Sequence, residues 1–377
     1  MREIHMVDLK AQYDKIGGEI DHAIRSVINS TAFVKGREVK VFEEQLQEYL
    51  NVRHVISCAN GTDALQIAMM ALGLKEGDEV ITTDFTFIST VEVVALLGLK
   101  LVLVDPDENS FNISPEAIRK AITPKTKVIV PVHLFGQCAN MEEILSIARD
   151  HNLFIIEDAA QATGADYIFK DGSVKKAGTM GNIGTTSFFP SKNLGCYGDG
   201  GALYTDNDDI AQKLRSIANH GTRIRYYHNN IGVNSRLDTI QAAILEVKLK
   251  YLDNYNNARR KVADIYDEAF SGCRFIKPPE RSDYSTHIFH QYTIAIKNGK
   301  RQELKEFLES RKIPSMIYYP VPLHMQDAYK YLGYKKGDFP VTELLCDEVI
   351  SLPICPELDQ EQLDYIIAGV LDFFEKL

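Results

Sequence analysis

The sequence has no apolar run near the roughly 18 residues that a membrane-spanning helix needs, and its first 20 residues mix charged and apolar side chains. We therefore expect no targeting segment, no membrane partner and a cytoplasmic location. Long basic runs are also missing, since 42 Lys and Arg are interspersed among 52 Asp and Glu to give a net charge of −10. This distribution predicts no nucleic-acid partner.

No two of the six cysteines have the spacing of a CxxC motif. Widely separated cysteines are typical of thiols in a reducing compartment rather than of a disulfide framework. Among the ten histidines, only His287 and His290 lie close together in the sequence, and no third residue that could bind a metal lies near them. The sequence therefore predicts no metal site.

A chain of 377 residues is longer than one hydrophobic core usually supports, so we expect two domains. Short apolar strands alternate with helical patterns, which predicts an α/β fold built from βαβ units. A long helical pattern over residues 240–270 would lead into a second domain that contains a strand stretch at 286–298. We place a large domain at residues 1–250 and a small C-terminal domain at residues 251–377.

The stretch SFFPSKNLGCYGDGGALYT, residues 187–205, places Lys192 between apolar runs and ahead of several glycines. Glycines leave room for a flat ligand to approach the backbone. A lysine amine in a confined, partly desolvated pocket can capture an aldehyde and later move a proton. We predict that Lys192 is catalytic and holds pyridoxal phosphate (PLP) as a Schiff base. A surface lysine in a glycine-rich loop is the alternative.

Residues 54–74 read as a short strand that turns at Asn60 and Gly61 into an apolar helix. The amides of Gly61, Thr62 and Asp63, with the Thr62 hydroxyl, could bind a phosphate at the positive end of this helix. The alternative is a plain strand-to-helix turn that Asn60 or Thr62 caps.

An apolar strand at residues 153–158 ends in two acids, Glu157 and Asp158, and Gln161 follows three residues later. A carboxylate beside a ligand pocket needs a partner, because an unpaired buried charge is costly. A protonated pyridine nitrogen would be such a partner. At about 4 Å and an effective dielectric of about 20, their attraction is worth about 4 kcal/mol. The alternatives are that Asp158 caps the next helix, or that both acids bind Mg²⁺.

Phe87 lies in the loop after the strand at residues 78–83, where parallel sheets bind their ligands. Its ring could stack on a planar cofactor, or it could serve ordinary packing.

A basic cluster lies at residues 220–236 of this acidic chain. Local positive charge in a negative protein suggests an anionic small ligand, and a solvated basic loop is the alternative. The cluster consists of His220, Arg223, Arg225, His228 and Arg236.

Six segments occur in the order and spacing of one family: ANGTDAL, DFTFIST, VHLFGQ, IEDAAQATGA, SFFPSKNLGCYGDGGALYT and GVNSRLDTIQAAIL. Together they resemble the DegT/DnrJ/EryC1/StrS nucleotide-sugar aminotransferases, which belong to the fold type I PLP enzymes. The resemblance implies a large domain with a mostly parallel seven-stranded sheet between helices, and a smaller C-terminal α/β domain.

The resemblance also implies cofactor contacts for the residues that match family motifs. Lys192 would bond the PLP aldehyde, Asp158 the pyridine nitrogen, and Gln161 would face the ring phenolate oxygen. Phe87 would occupy the ring-stacking position. The phosphate would be held by Gly61, Thr62, Ser187 and, from a neighbouring subunit, Asn234. The active sites would then be shared within a homodimer.

The sugar pocket implied by the resemblance includes Arg236, His324, Tyr319 and His228. The sequence motifs look most like those of enzymes that use L-glutamate to aminate C3 of UDP-2-acetamido-2-deoxy-3-oxo-D-glucuronate in O-antigen synthesis. This chain departs from them in one loop, where it has IYYPVPLH and they have a histidine before YP and none after. The departure leaves another UDP- or dTDP-linked ketosugar open.

Three other functions are alternatives to this one. Dehydratase relatives carry histidine at the lysine position, so Lys192 argues against that branch. A dehydrogenase would use GCYGDGG as a dinucleotide loop, but that stretch does not join a strand to a helix. A PLP-binding regulator without turnover remains open.

Overall fold

The computed structural model describes residues 2–375. Its α-helices, in chain order, are α1 (Leu9–Ser30), α2 (Arg37–Leu50), α3 (Gly61–Leu72), α4 (Ser89–Leu96), α5 (Pro115–Ala121), α6 (Met141–Asp150), α7 (Asp208–Ile217), α8 (Thr239–Leu249), α9 (Leu252–Phe270), α10 (Arg301–Ser310), α11 (Pro340–Glu348) and α12 (Gln360–Glu375). Short 3₁₀ helices lie at Leu134–Gly136, Leu323–Met325 and Asp327–Leu332.

The strands are β1 (His54–Cys58), β2 (Glu79–Thr83), β3 (Lys100–Val104), β4 (Thr126–Val130), β5 (Phe154–Asp158), β6 (Asp166–Ile168), β7 (Val174–Lys176), β8 (Ile183–Ser187), β9 (Gly201–Thr205), β10 (Thr222–Ile224), β11 (Tyr227–His228), β12 (Ile276–Lys277), β13 (Tyr292–Ile296) and β14 (Val349–Leu352).

Seven strands form the main sheet in the order β1-β9-β8-β5-β4-β2-β3. Strand β9 runs antiparallel to both of its neighbours, and the other pairings in the sheet are parallel. The central strands are nearly continuous runs of β-branched and apolar residues, because both faces of a parallel sheet are covered. The predicted mostly parallel seven-stranded sheet is confirmed.

Helices cover both faces of this sheet because successive strand residues point to opposite sides. Val80 and Val128 pack into the core formed with α3, α4 and α7. Ile81 and Ile129, one residue further along, pack into the core formed with α5 and α6. Six helices within residues 2–375 begin after a residue whose side-chain oxygen accepts a backbone amide of the first turn, which fixes where the chain leaves a strand or loop. These caps are Asp8, Asn60, Ser114, Asn140, Asn207 and Asp359.

A second sheet, β12-β13-β14, is antiparallel and packs with α9, α10 and α12 around its own core. Ile4, near the start of the chain, also packs into this core. The predicted helical stretch at 240–270 is two helices, since α8 ends at Leu249 and α9 begins at Leu252. The division into domains at residue 250 stays a prediction.

The predicted strand at 286–298 is wrong for its first half, because only Tyr292–Ile296 forms a strand. The preceding segment turns back against the large sheet, where the amide of Ile288 donates to the carbonyl of Gly136 at 2.9 Å. Its two histidines are separate: the His287 ring stacks on Phe289, with centroids 3.9 Å apart, and His290 lines a cavity.

No helix within residues 2–375 is long and apolar enough to cross a membrane. The same residues contain no group of three or more His, Cys, Asp or Glu side chains that could hold a metal ion.

Candidate active site

A cavity of about 800 Å³ opens at the carboxyl ends of the sheet strands β1, β2, β5 and β8. Parallel strands that end at one edge bring the loops that follow them together there. The cavity gathers eight of the residues predicted to form the site: Gly61, Thr62, Phe87, Asp158, Gln161, Ser187, Lys192 and Tyr319.

Lys192 lies in the loop between β8 and β9, where its backbone amide donates to the carbonyl of Phe189 at 2.8 Å. The loop folds tightly on itself, since a Cβ at Gly195 would lie 2.4 Å from the Pro190 carbonyl oxygen. Burial lowers the pKa of the Lys192 amine to about 8, and the charge of Asp158 opposes this shift. About a tenth of the amine is therefore neutral at pH 7, against under a thousandth for an ordinary lysine.

Asp158 is the last residue of β5, and its carboxylate is held in the cavity by two hydrogen bonds. The Thr90 hydroxyl donates to Oδ2 at 2.8 Å, and the Ala160 amide donates to Oδ1 at 3.2 Å. Glu157 points to the opposite side of the strand, where its Oε2 lies 2.8 Å from Nε2 of the buried His133. The two acids therefore cannot share a Mg²⁺ ion, and that alternative is wrong.

The N-terminus of α3 forms the part of the cavity that was predicted to bind phosphate. The Asn60 side chain caps the helix by accepting the Asp63 amide at 2.8 Å, so that amide is used within the protein. The amides of Gly61 and Thr62 remain at the positive end of the helix. A Cβ at Gly61 would lie 2.8 Å from Cβ of Ser187, so only glycine allows this approach. The predicted cap and the predicted anion site are thus compatible.

Three side chains form the wall opposite the helix. Gln161 Oε1 accepts the Phe135 amide at 2.7 Å, and this contact turns its Nε2 towards the Tyr319 hydroxyl, to which it donates at 3.2 Å. The Phe87 ring is 55% exposed, and its centroid lies 6.4 Å from that of Tyr319.

The chemical groups of these residues fit PLP. The desolvated amine can bond the aldehyde, and the hydrogen-bonded carboxylate can pair with the ring nitrogen. The free helix amides can bind the phosphate, and the exposed aromatic ring can stack on the planar ring of the cofactor. The role of each residue stays a prediction.

The structure does not bring the basic cluster into this cavity. Arg236 lines a separate cavity of about 280 Å³ together with Lys35 and Arg215. His228 lies in the exposed hairpin formed by β10 and β11, and Asn234 is exposed. The predicted roles of these residues stay predictions.

His324 does not line this cavity, and its predicted role in the sugar pocket stays a prediction. His324 is 2% exposed and lies behind the cavity wall, where its Nδ1 is 2.5 Å from Oδ2 of Asp84 and its amide donates to Oδ1 at 2.8 Å. Its Nε2 is 3.4 Å from Oε1 of Glu343. Burial raises the pKa of Asp84 to about 6, although the hydrogen bonds from His324 lower it. The pair ties the segment that carries Tyr319 to the strand end that leads to Phe87.

Thr90, which binds Asp158, and His290 are two of the residues around the site that sequence reasoning missed. Thr90 lies in the DFTFIST segment, so its match to the family could have drawn attention to it. His290 lines the cavity but sits in a stretch that reads as a strand, and no local pattern places it there.

Breaking the buried Asp84–His324 pair should destabilise the fold. We expect His324→Ala and Asp84→Ala each to lower the free energy of unfolding by about 3 to 5 kcal/mol, because each leaves the other polar group buried and unpaired. The double variant should lose less than the sum of the two. Chemical denaturation at fixed protein concentration measures this, with exposed His151→Ala as a control that changes little. Strictly additive losses would contradict the coupling.

The lowered pKa of Lys192 predicts a pH profile for cofactor capture. The neutral amine is the nucleophile, so the rate at which apoprotein captures PLP should rise about tenfold per pH unit and level off above about pH 8. Stopped-flow absorbance between pH 6 and 10 measures it. Asp158→Asn should move the midpoint lower, because the carboxylate opposes the effect of burial. A rise that continues to the ordinary lysine value of 10.5 would show that the amine is solvated.

Comparison with known proteins places the chain in a family. It is 45% identical to a protein of Geobacillus stearothermophilus named pleiotropic regulatory protein, over 98% of both chains. It is 43% identical to the UDP-2-acetamido-2-deoxy-3-oxo-D-glucuronate aminotransferase of Pseudomonas aeruginosa, over 97% of this chain and 99% of that one. The crystal structure of S. venezuelae DesV in complex with a ketimine intermediate matches with a TM-score of 0.95 and 37% identity over the whole of both chains. The family model matches residues 14–371, and the chain therefore belongs to the DegT/DnrJ/EryC1/StrS aminotransferase family.

Proposed function

We propose that this protein transfers the amino group of L-glutamate to C3 of UDP-2-acetamido-2-deoxy-3-oxo-D-glucuronate, with PLP as its cofactor, in the synthesis of bacterial O-antigen. The observation that carries the reaction type is the desolvated Lys192 amine beside the Asp158 carboxylate in one cavity. Membership of the aminotransferase family agrees with it. The choice of sugar is supported by the Pseudomonas aeruginosa relative, whose name gives that substrate.

The chemistry divides between the cofactor and the chain. PLP supplies, when bound, an electron sink that eases the breaking of the C–H bond next to the transferred nitrogen. Lys192 takes the proton from that carbon and delivers it again, which its pKa near 8 permits at neutral pH. Asp158 keeps the ring nitrogen protonated through a charge-assisted hydrogen bond. Phe87 and Tyr319 shield the reacting atoms from water.

The overall reaction consists of two half-reactions. L-glutamate gives up its amino group, takes its keto oxygen from one water molecule and leaves as 2-oxoglutarate. The ketosugar then accepts that amino group and loses its carbonyl oxygen as water.

We further propose a homodimer in which a partner copy completes each site. The hairpin of β10 and β11 and the chain after it expose a group of large apolar side chains, which is typical of a surface that another chain covers. These are Ile224, Tyr226, Tyr227 and Ile231, exposed by 68%, 78%, 68% and 87%. Asn234 and Arg236 follow this surface directly, so the partner copy would bring them to the phosphate and to the sugar.

Two alternatives differ from this proposal in a measurable way. Another UDP- or dTDP-linked 3-keto or 4-keto sugar would suit the same cofactor site, and the IYYPVPLH loop is where this chain departs from the enzymes it resembles. A PLP-binding regulator is the second, and the name of the Geobacillus stearothermophilus relative is the observation that favours it.

A substrate panel tests the proposed function. The holoprotein should exchange its amino group with L-glutamate and then aminate UDP-2-acetamido-2-deoxy-3-oxo-D-glucuronate with a higher kcat/KM than other UDP- or dTDP-ketosugars, with mass spectrometry of the amino sugar as the readout. A higher kcat/KM for another ketosugar would overturn the substrate assignment. Binding of PLP with no turnover of glutamate would favour the regulator.

Replacing Lys192 tests the reaction type. We expect Lys192→Ala to retain PLP through the phosphate and ring contacts but to lose transamination by at least about a hundredfold, because the proton carrier is removed. Exposed Lys175→Ala is the matched control and should keep wild-type rates. Transamination by Lys192→Ala at the wild-type rate would refute the assignment.

A further inference from the structure

His290 lies in the wall of the cavity that contains Lys192, and it is not among the residues predicted to contact the cofactor or the substrate. The residue is 4% exposed. Its backbone is held close to Gly136, whose φ is +104° and where a Cβ would lie 2.9 Å from the His290 amide nitrogen. Only glycine tolerates that conformation and that approach together. The position of the histidine in the wall is therefore fixed by the backbone.

A chain of side-chain amides determines which His290 ring nitrogen carries the proton. Asn193 Nδ2 donates to the Ile288 carbonyl at 3.3 Å and to Asn256 Oδ1 at 2.7 Å. A backbone carbonyl can only accept, so the orientation of the Asn193 amide is settled. Its Oδ1 must be the acceptor for His290 Nδ1, which is 3.3 Å away. Nδ1 therefore carries the proton of the neutral ring, and Nε2 keeps its lone pair.

The surroundings keep this ring neutral. Burial lowers the pKa of His290 well below its usual value, and the positive charges of Lys192 and Arg259 lower it further. The Arg259 guanidinium donates to the His290 carbonyl at 3.4 Å. Within residues 2–375, Nε2 has no hydrogen-bond partner. The ring thus has an unused acceptor and lines the same cavity as the Lys192 amine, whose charge acts on it.

We propose that His290 is a positioning residue whose Nε2 accepts a hydrogen bond from the Lys192 amine when that amine is free, and so orients it for proton transfer. The inference rests on the proposed function, since it assigns a role within that reaction. Both the neutral amine and the ammonium form of lysine carry N–H donors, and an unprotonated imidazole nitrogen is an acceptor, so the two are complementary. The acidic residues that line the same cavity are Asp63, Asp158 and Asp199, and Asp158 is the one whose charge acts on the amine.

The first test uses apoprotein and needs no substrate. His290→Phe removes the acceptor and keeps a ring, whereas His290→Gln keeps an acceptor oxygen. An acceptor favours the charged ammonium form, so the midpoint of the pH profile for PLP capture should fall by about half a pH unit in His290→Phe and stay near the wild-type value in His290→Gln. In wild-type apoprotein, ¹⁵N NMR of the histidine rings should find one buried neutral ring with its proton on Nδ1.

The second test uses the holoprotein with L-glutamate alone. We expect His290→Phe to lower the rate of the glutamate half-reaction by about tenfold or more with little change in its KM, and His290→Gln to recover part of that loss. A raised KM with an unchanged rate would mean that His290 binds substrate instead, and would overturn the proposal.

Three other outcomes overturn the proposal: a capture midpoint unchanged in His290→Phe, a proton on Nε2, or a ring that is charged at pH 7. Should His290→Phe not fold, the NMR of the wild type and the His290→Gln profile still decide it. Failure with every ketosugar, together with the expected apoprotein results, would refute the proposed function and leave the assignment of His290 in place.

Discussion

The site depends on one amine and one carboxylate that line the same cavity, the charge of the carboxylate acting on the amine. Burial favours the neutral form of the Lys192 amine, and full solvation would leave it protonated at pH 7. The charge of Asp158 acts against burial, and the pKa of the amine lies near 8 as a result. An amine in that balance can serve as a nucleophile and can also carry a proton in both directions.

The sheet explains why these groups meet. Strands β5 and β8 are parallel neighbours, so Asp158 at the end of one and Ser187 at the end of the other emerge at the same edge. Strand β1 runs in the same direction on the far side of the antiparallel β9, and a Cβ at Gly201 of β9 would lie 2.5 Å from the Asn60 carbonyl carbon. This tight contact brings the N-terminus of α3 to the edge where Lys192 lies.

The residues that sequence reasoning located are those that local patterns mark. Asp158 ends an apolar strand, Gly61 begins a helix after a turn, and Lys192 lies in a glycine-rich loop, so each sits at a strand end that a parallel sheet gathers into one site. The break between α8 and α9 was missed because the helical periodicity resumes after residues 250 and 251.

The sequence could not place contacts between distant segments. The partner of His324 is Asp84, 240 residues away, and no periodicity in either segment marks the pair. The direction of the His290 side chain depends on Gly136 and Asn193, which belong to two other loops. Asn234 and Arg236 lie outside the cavity that contains Lys192, and their predicted roles stay predictions.

The most direct measurement of the central claim is to find which lysine bears the cofactor. Lys248 is a sharp comparison, because burial also lowers its pKa to about 8 and its amine lies 5.3 Å from the centroid of the Tyr197 ring. Borohydride reduction of the holoprotein followed by peptide mapping should find the cofactor fixed to the peptide that contains Lys192. Attachment to Lys248, to another lysine or to none would contradict the account.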